Sequence, residues 1–463
     1  MKRYLHRSLL SACLALYCIA AHASESTAEF PFKAGDRVAW IGSSSTRIGT
    51  WCRTLEFLLR TRHPELKLTF SRGTTGGGTF LTGVKNLPMW LGEMRPTYVL
   101  FNYGGNDAAA GPKGLPQFKL NMQKCFELVR DSGAKVQFLP PQSGDVRATA
   151  LQPLEYRKLY AEEMLDFAKQ NGWVAYDTHH PLEAFQAASQ KEVPDFTINR
   201  DRIHLTDCSY VAWGCFIYER MNPPVVESRA ELDASGKVLA TRGCAITDVI
   251  AGKSVLEFTR SDSVLPLLPP EPIPGGYSLL KNSPTTPGAA AGAAMKDAIK
   301  EYYKAPAKPI IPAVSTQPKI PGDSSPAAST DANNSAQAAK GPSGSTPAAK
   351  PAAPPFKIPA AQVAYAAKFG QQLPRRELVP MENVSRYMLK ITNLETGQYE
   401  ISCEGKPIGC ASASEFQSGV NLNTLLLDAK NVAPWNDFLR DIWVGKRLDE
   451  IGTTHWKFRV EKK

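Results

Sequence analysis

The sequence lacks the marks of a metal enzyme, a nucleic-acid binder or a membrane channel. Its 7 histidines and 9 cysteines show none of the paired spacings of a zinc site. Beyond the N-terminal leader, no stretch approaches the roughly 18 apolar residues that cross a bilayer. No basic face interleaved with aromatics is present, as nucleic acid would require. A phosphate loop is excluded because no Gly-Lys-Ser/Thr follows a glycine-rich turn. The hydrolase elbow Gly-x-Ser-x-Gly fails too, since Thr46 stands where its second glycine belongs. What is present is an ordinary globular composition, 43% hydrophobic and 21% charged over 463 residues, enough for two or three domains with real cores.

Met1 to Ala23 reads as a secretory leader: Lys2, Arg3 and Arg7, an apolar run from Leu9 to Ala20, and Ala21-His-Ala23 as cleavage site. Leu10-Ser-Ala-Cys13 looks like a lipoprotein site, but the hydrophobic region before it is too short, so cleavage is expected after Ala23. A secreted or periplasmic mature chain without a transmembrane segment is the expectation. Loss of the leader's three basic residues takes the net charge from +10 to +7. The lysines are dispersed, several within a Pro/Ala-rich tract, a pattern suited to contact with anionic cell-envelope polymers. The mature chain keeps Cys52, Cys125, Cys208, Cys215, Cys244, Cys403 and Cys410, an odd set with at least one free thiol. Cys403 and Cys410 flank a turn and form the expected disulfide. Cys208 and Cys215, if on one helix, stand roughly 10 Å apart, too far to bridge.

From residue 36 to about 222 strands and helices alternate. Val38–Ile41, Leu66–Phe70, Tyr98–Tyr103, Lys135–Leu139 and Trp173–Tyr176 read as buried strands. Gln117–Arg130 and Leu154–Gln170 carry apolar residues at helical spacing, and Asn171-Gly172 stops the second. This pattern predicts a parallel α/β sheet with helices on both faces. Residues 24–222 form that domain, and 223–282 read as a β-rich accessory segment. Residues 283–375, rich in Pro and Ala, are expected to be a disordered linker with one short helix at Ala294–Tyr303. Residues 376–463 resume with a β-hairpin of Tyr387–Ile391 against Tyr399–Cys403, then a helix over Pro434–Leu448.

The strand Val38–Ile41 runs into Gly42-Ser-Ser-Ser-Thr46, at the carboxyl edge where open α/β sheets bind ligands. A core strand has no packing need for four hydroxyl residues; the cluster is either catalytic or a cap for the next helix. Ser71-Arg-Gly-Thr-Thr-Gly-Gly-Gly78, Gly104-Gly-Asn-Asp107 and Asp201-Arg-Ile-His204 fall at the same predicted edge, with Thr206 as N-cap of the last helix. In order, these four blocks resemble those of the SGNH hydrolases, or GDSL-type esterases. The resemblance covers residues 36 to 220 and implies a flavodoxin-like three-layer α/β/α fold. It implies Ser44 as nucleophile, His204 as base and Asp201 as its orienting acid. It further implies an oxyanion hole from the Ser44 and Gly76 backbone and the Asn106 side chain, with no metal or organic cofactor. One departure is Ser43, where the family usually has Asp. Arg72 and Asp107 are candidate substrate contacts, and His179 and His180 lie near the same rim.

The function so implied is a serine esterase acting on a short acyl ester, such as an O-acetyl carbohydrate, through an acyl-enzyme. The alternatives are an O-acyltransferase for an envelope polysaccharide and a non-catalytic envelope-binding protein on the same fold. The accessory β segments also look like those of exported SGNH proteins, which implies one accessory unit split by the linker.

Overall fold

The computed structural model describes residues 29–145, 154–269, 385–425 and 435–463, apart from positions 193, 195, 202, 268 and 453. The leader, the whole Pro/Ala-rich tract with its expected helix, and Pro434 lie outside the described residues.

The strands of the first domain are β1 (Arg37–Gly42), β2 (Thr69–Thr74), β3 (Tyr98–Asn102), β4 (Lys135–Phe138) and β5 (Val174–Ala175). They form one parallel sheet in the order β2-β1-β3-β4-β5. That is the flavodoxin-like order, with its switch point between β1 and β3. β1 is apolar from Val38 to Ile41 because both of its faces are covered there: Val38 and Trp40 enter one core, Ala39 and Ile41 the other.

The helices of this domain are α1 (Ser44–Ile48), α2 (Thr50–Arg62), α3 (Phe80–Met94), α4 (Leu115–Asp131), α5 (Leu154–Gln170), α6 (His179–Glu192) and α7 (Asp207–Arg220). Between β1, α2 and α7, the Trp51 ring stands 5.9 Å from Trp40 and 5.5 Å from Trp213. Each such buried ring removes on the order of 150–250 Å² from water, an upper estimate of about 4–6 kcal/mol. On the opposite face, Phe80, Phe118, Met122, Tyr160 and Met164 bring α3, α4 and α5 against the sheet. The aromatic and methionine stripes of α4 and α5 are therefore core.

β2 departs from its expected bounds of Leu66–Phe70. Leu66 ends a short 3-10 turn, and the ladder to β1 runs from Thr69 opposite Arg37 to Thr74 opposite Gly42. Ser71, Arg72 and Gly73 are thus strand residues, not the loop that follows it.

The remaining strands are β6 (Val226–Asp233), β7 (Val238–Arg242), β8 (Cys244–Ala251), β9 (Val255–Asp262), β10 (Ser385–Thr392), β11 (Gln398–Cys403), β12 (Lys406–Ser412), β13 (Val420–Asn421) and β14 (Thr454–Lys462). With α8 (Ala413–Ser418), α9 (Leu422–Leu425) and α10 (Asn436–Trp443) they build two sheets, β13-β10-β6-β7 and β12-β11-β14-β9-β8. β10 runs parallel to β6 over eight paired positions, Ser385 opposite Val226 to Thr392 opposite Asp233, and β14 runs antiparallel to β9. Chain from either side of the tract therefore shares both sheets.

Two expectations fail here. Tyr387–Ile391 and Tyr399–Cys403 do not pair: β10 and β11 belong to different sheets. Tyr387, Leu389, Tyr399 and Ile401 are all buried, so the alternation that marks each strand says nothing of its partner. The hairpin is instead β11–β12, turning on Glu404 and Gly405 with φ of 50° and 72°, the positive pair that a type I′ turn needs. The Cys403–Cys410 disulfide is also absent. Cys410 lies opposite Glu400 and Cys403 opposite Lys406, and Cys403 is buried while Cys410 is exposed. The two thiols point to opposite sides of the hairpin. Cys208 and Cys215 do share a helix, α7, and no disulfide joins them.

The first core runs on into this unit through Leu256, Phe258, Tyr387 and Phe438. Trp443 of α10 stands 6.2 Å from Phe57 of α2. Arg62, fully buried at the end of α2, donates from Nη2 to the Leu267 carbonyl and the Ser385 hydroxyl, both at 2.8 Å.

Candidate active site

Gly42 ends β1 where a side chain has no room. A Cβ there would lie 2.1 Å from the Thr46 hydroxyl and 2.7 Å from the Asn102 carbonyl. The chain turns directly into α1, and the four hydroxyls separate. Ser43 precedes the helix, and its side chain makes no capping hydrogen bond. Ser45 is 2% exposed and accepts from Gln142 Nε2 at 2.9 Å and from the Tyr210 hydroxyl at 3.2 Å. Thr46 is buried against Asn102, 3.5 Å from its side-chain oxygen. Only Ser44 meets an imidazole.

Ser44 Oγ lies 2.9 Å from His204 Nε2, and His204 Nδ1 lies 2.9 Å from Asp201 Oδ2. The loop that carries this pair is fixed locally. Asp201 Oδ1 accepts from the backbone N–H groups of Ile203 at 2.8 Å and His204 at 2.7 Å. Asn199 and Leu205 bridge the loop's base, and Thr206 caps α7 by accepting from Ser209 N at 3.2 Å. Burial alone would raise the Asp201 carboxyl. The hydrogen bonds from the His204 ring and from the two backbone amides, with the attraction of His204, hold it well below the ordinary carboxylate range.

The glycine-rich segment forms a turn. Thr75 donates to the Gly42 carbonyl at 3.2 Å, Gly78 to the Thr75 carbonyl at 3.0 Å, and Gly77 has φ of 69°. Gly76 is a central residue of that turn. A Cβ on it would meet Arg47 Nη1 at 3.5 Å, an ordinary contact, so the crowding within the turn falls on Gly78 instead, 2.9 Å from the Thr75 carbonyl. Asn106 donates from Nδ2 to the Gly78 carbonyl at 2.9 Å. One of its two amide protons is held, and the other remains for a ligand. Ser44 opens α1, so its N–H has no acceptor within the helix.

A shallow cleft, with an enclosed volume of only about 10 Å³, opens over these groups, with Ser44, Gly105, Asn106, Gln142, Arg157 and Ile203 among its walls. Gln142, Tyr210 and Arg157 escape sequence reading because each is a lone polar residue with no motif spacing.

Arg72 and Asp107, expected as substrate contacts, are engaged inside the protein. Arg72 is 8% exposed and pairs with Glu56 at 3.2 Å, and Glu56 also accepts from Trp40 Nε1 at 3.0 Å. Arg72 misled because the continuation of β2 turns it onto α2. Asp107 accepts from Gly104 N at 3.0 Å and Phe80 N at 3.2 Å, clipping the Asn106 loop to the start of α3. Burial raises its carboxyl to about 6 against those hydrogen bonds. His179, buried with Nδ1 2.8 Å from the Pro141 carbonyl, and His180, paired with Asp177 at 2.9 Å, are absent from the cavity walls. Burial lowers the His179 pKa. No cluster of metal-binding side chains occurs among the described residues.

Residues 35–210 match the GDSL-like lipase/acylhydrolase family. Over these residues the chain is similar to that family. The GDSL-like domain is 29% identical over 140 residues to the esterase TesA of Pseudomonas aeruginosa, an alignment that takes in 29% of this chain and 66% of TesA. Among solved structures, a gut microbial diltiazem-metabolizing enzyme, BT4096, superposes with a TM-score of 0.58 at 16% identity, covering 95% of this chain and 100% of that one. It shares the fold across the accessory sheets as well as the GDSL-like domain. A catalytic variant of the acetylxylan esterase Axe2 of Geobacillus stearothermophilus aligns with 42% of this chain and 97% of its own, at 14% identity and a TM-score of 0.34.

Proposed function

We propose that the GDSL-like domain is a serine esterase that removes a short acyl group, such as O-acetyl, from a carbohydrate through an acyl-enzyme. The observation that carries this reading is the unbroken hydrogen-bonded chain from Ser44 through His204 to Asp201. Ser44 Oγ attacks the ester carbonyl as His204 Nε2 takes its proton, and Asp201 holds the imidazole tautomer and steadies its charged form. The tetrahedral oxygen takes hydrogen bonds from the Ser44 and Gly76 N–H groups and from the spare Asn106 amide proton. His204 then returns its proton to the departing alkoxide. Water, activated by the same imidazole, releases the acid. Ser43 stands outside every proton transfer.

Export through Met1–Ala23 belongs to the same proposal and would bring the domain to envelope or extracellular esters. Among the described residues no helix is long and apolar enough to cross a membrane. The deciding experiment is Ser44→Ala assayed on a chromogenic short-chain ester, with circular dichroism to check folding. Hydrolysis should vanish from a folded protein; full activity in that variant would falsify the reading.

A further inference from the structure

Arg157, on α5, opens onto the same cavity as Ser44 and Asn106. It is 3% exposed, and among the described residues its Nε and Nη1 have no hydrogen-bond partner. A guanidinium stays protonated at any working pH, and folded proteins pair a buried charge because leaving it alone is costly. Two other buried guanidiniums face carboxylates, Arg72 with Glu56 at 3.2 Å and Arg260 with Asp262 at 3.0 Å, and a third, Arg62, is met by a carbonyl and a hydroxyl at 2.8 Å; the Nε and Nη1 of Arg157 have neither. Asp201, the carboxylate that Arg157 senses across the site, is already committed to His204 and two backbone amides, with Arg200 Nε 3.7 Å away. Among the described residues no carboxylate pairs with this buried cation, and an anionic ligand would balance it.

We propose that Arg157 binds a carboxylate on the alcohol side of the scissile ester, so that the domain acts on O-acylated acidic sugars or hydroxy acids. The inference rests on the esterase reading above and names its substrate class. The side follows from the chemistry. His204 protonates the departing alkoxide, so the alcohol portion leaves past the imidazole. Arg157 shares the cavity wall with Ile203, the neighbour of His204 in the chain, and feels the charges of Tyr210 and Asp201. The carboxylate would accept from a guanidinium that is itself buried, where a charge-assisted hydrogen bond discriminates strongly.

The test uses the full chain and two matched substrates, an O-acetylated methyl glucuronoside and the corresponding O-acetylated methyl glucoside. Wild type should favour the glucuronoside in kcat/KM by at least about tenfold, the range of a hydrogen bond to a charged group. Arg157→Gln should bring that ratio close to one, mainly through KM. A wild-type ratio at or below one overturns the proposal. So does a folded Arg157→Gln that keeps the preference, or one that loses rate equally on both substrates, which would make Arg157 an oxyanion or structural group. If the variant does not fold, competitive inhibition of wild type by unacetylated methyl glucuronoside and methyl glucoside decides. At least about tenfold tighter inhibition by the glucuronoside is expected, and equal inhibition overturns the assignment. Turnover of the chromogenic ester without preference between the two sugar esters, or without turnover of either, defeats this inference alone; no turnover of the chromogenic ester defeats the esterase reading beneath it.

Discussion

Gln142 donates to the hydroxyl of Ser45 at 2.9 Å, and this contact separates two adjacent serines. Ser45 is drawn inward, with Tyr210 also bound to it, while Ser44 one residue earlier faces His204. The neighbouring hydroxyls do not compete for the imidazole.

Ser45→Ala should therefore cost stability and leave the reactive residue in place. Gln142 and Tyr210 would each lose a buried partner, a loss of about 1–3 kcal/mol. Denaturant unfolding measures that cost. A fluorophosphonate probe followed by peptide mapping should still label residue 44 in Ser45→Ala, and should label nothing in Ser44→Ala. Label on Ser45 in either protein would contradict the geometry.

Asn106→Ala should lower kcat by about 10²–10³, the usual effect of removing one oxyanion donor. The Gly78 carbonyl also loses its partner, so thermal unfolding must be read beside the kinetics. A kcat within a few-fold of wild type, at intact stability, would remove Asn106 from the oxyanion hole.

Asp201 makes acid sensitivity predictable in sign. Its folded carboxyl titrates below the ordinary value of 3.8, so the unfolded chain binds the proton more readily. The stability it contributes is complete above that value and is lost as pH falls towards the folded pKa. Asp201→Asn should be less stable than wild type at neutral pH, and the gap should narrow below about pH 4. On the catalytic side, loss of the tautomer-holding carboxylate costs on the order of 10⁴ in kcat in the Ser-His-Asp template. A gap that widens in acid would reverse the assignment.

Asp107 has the opposite sign. Burial lifts its carboxyl from 3.8 to about 6, so the folded state holds the proton more tightly and stability declines as pH rises through that window. The decline is at most about 3 kcal/mol. Asp107→Asn should remove it, giving a flatter stability profile between pH 4 and 6 in denaturant titrations. A variant profile as steep as that of wild type would place the titrating group elsewhere.

The sheet of the GDSL-like domain is legible in the sequence because its strands are covered on both faces. Val38 to Ile41 and Tyr98 to Asn102 have no exposed side to break their apolar runs. The hydrogen-bonded grouping of Ser44, His204 and Asp201 is legible because the proposed chemistry demands particular residue types at strand ends. Pairing in the accessory sheets is not, since β6 and β10 meet across more than 100 intervening residues and alternation alone fits any partner. Arg72 is misread for a related reason: one turn more of strand carries it from the rim into the protein. Arg157 has no local pattern at all, and only the packing of α5 over the cavity gives it meaning.

The hydroxyl of Ser385 donates to the Pro266 carbonyl at 2.6 Å, and the buried Arg62 grips the same junction. The point where the chain leaves the accessory sheets and the point where it re-enters them are thus one place. Whatever course residues 268–384 take, they set out and come back to a single knot instead of holding two bodies apart. A protease cut within them would yield two fragments that stay together through β6–β10 and β9–β14. Native electrophoresis should then show one band where denaturing electrophoresis shows two.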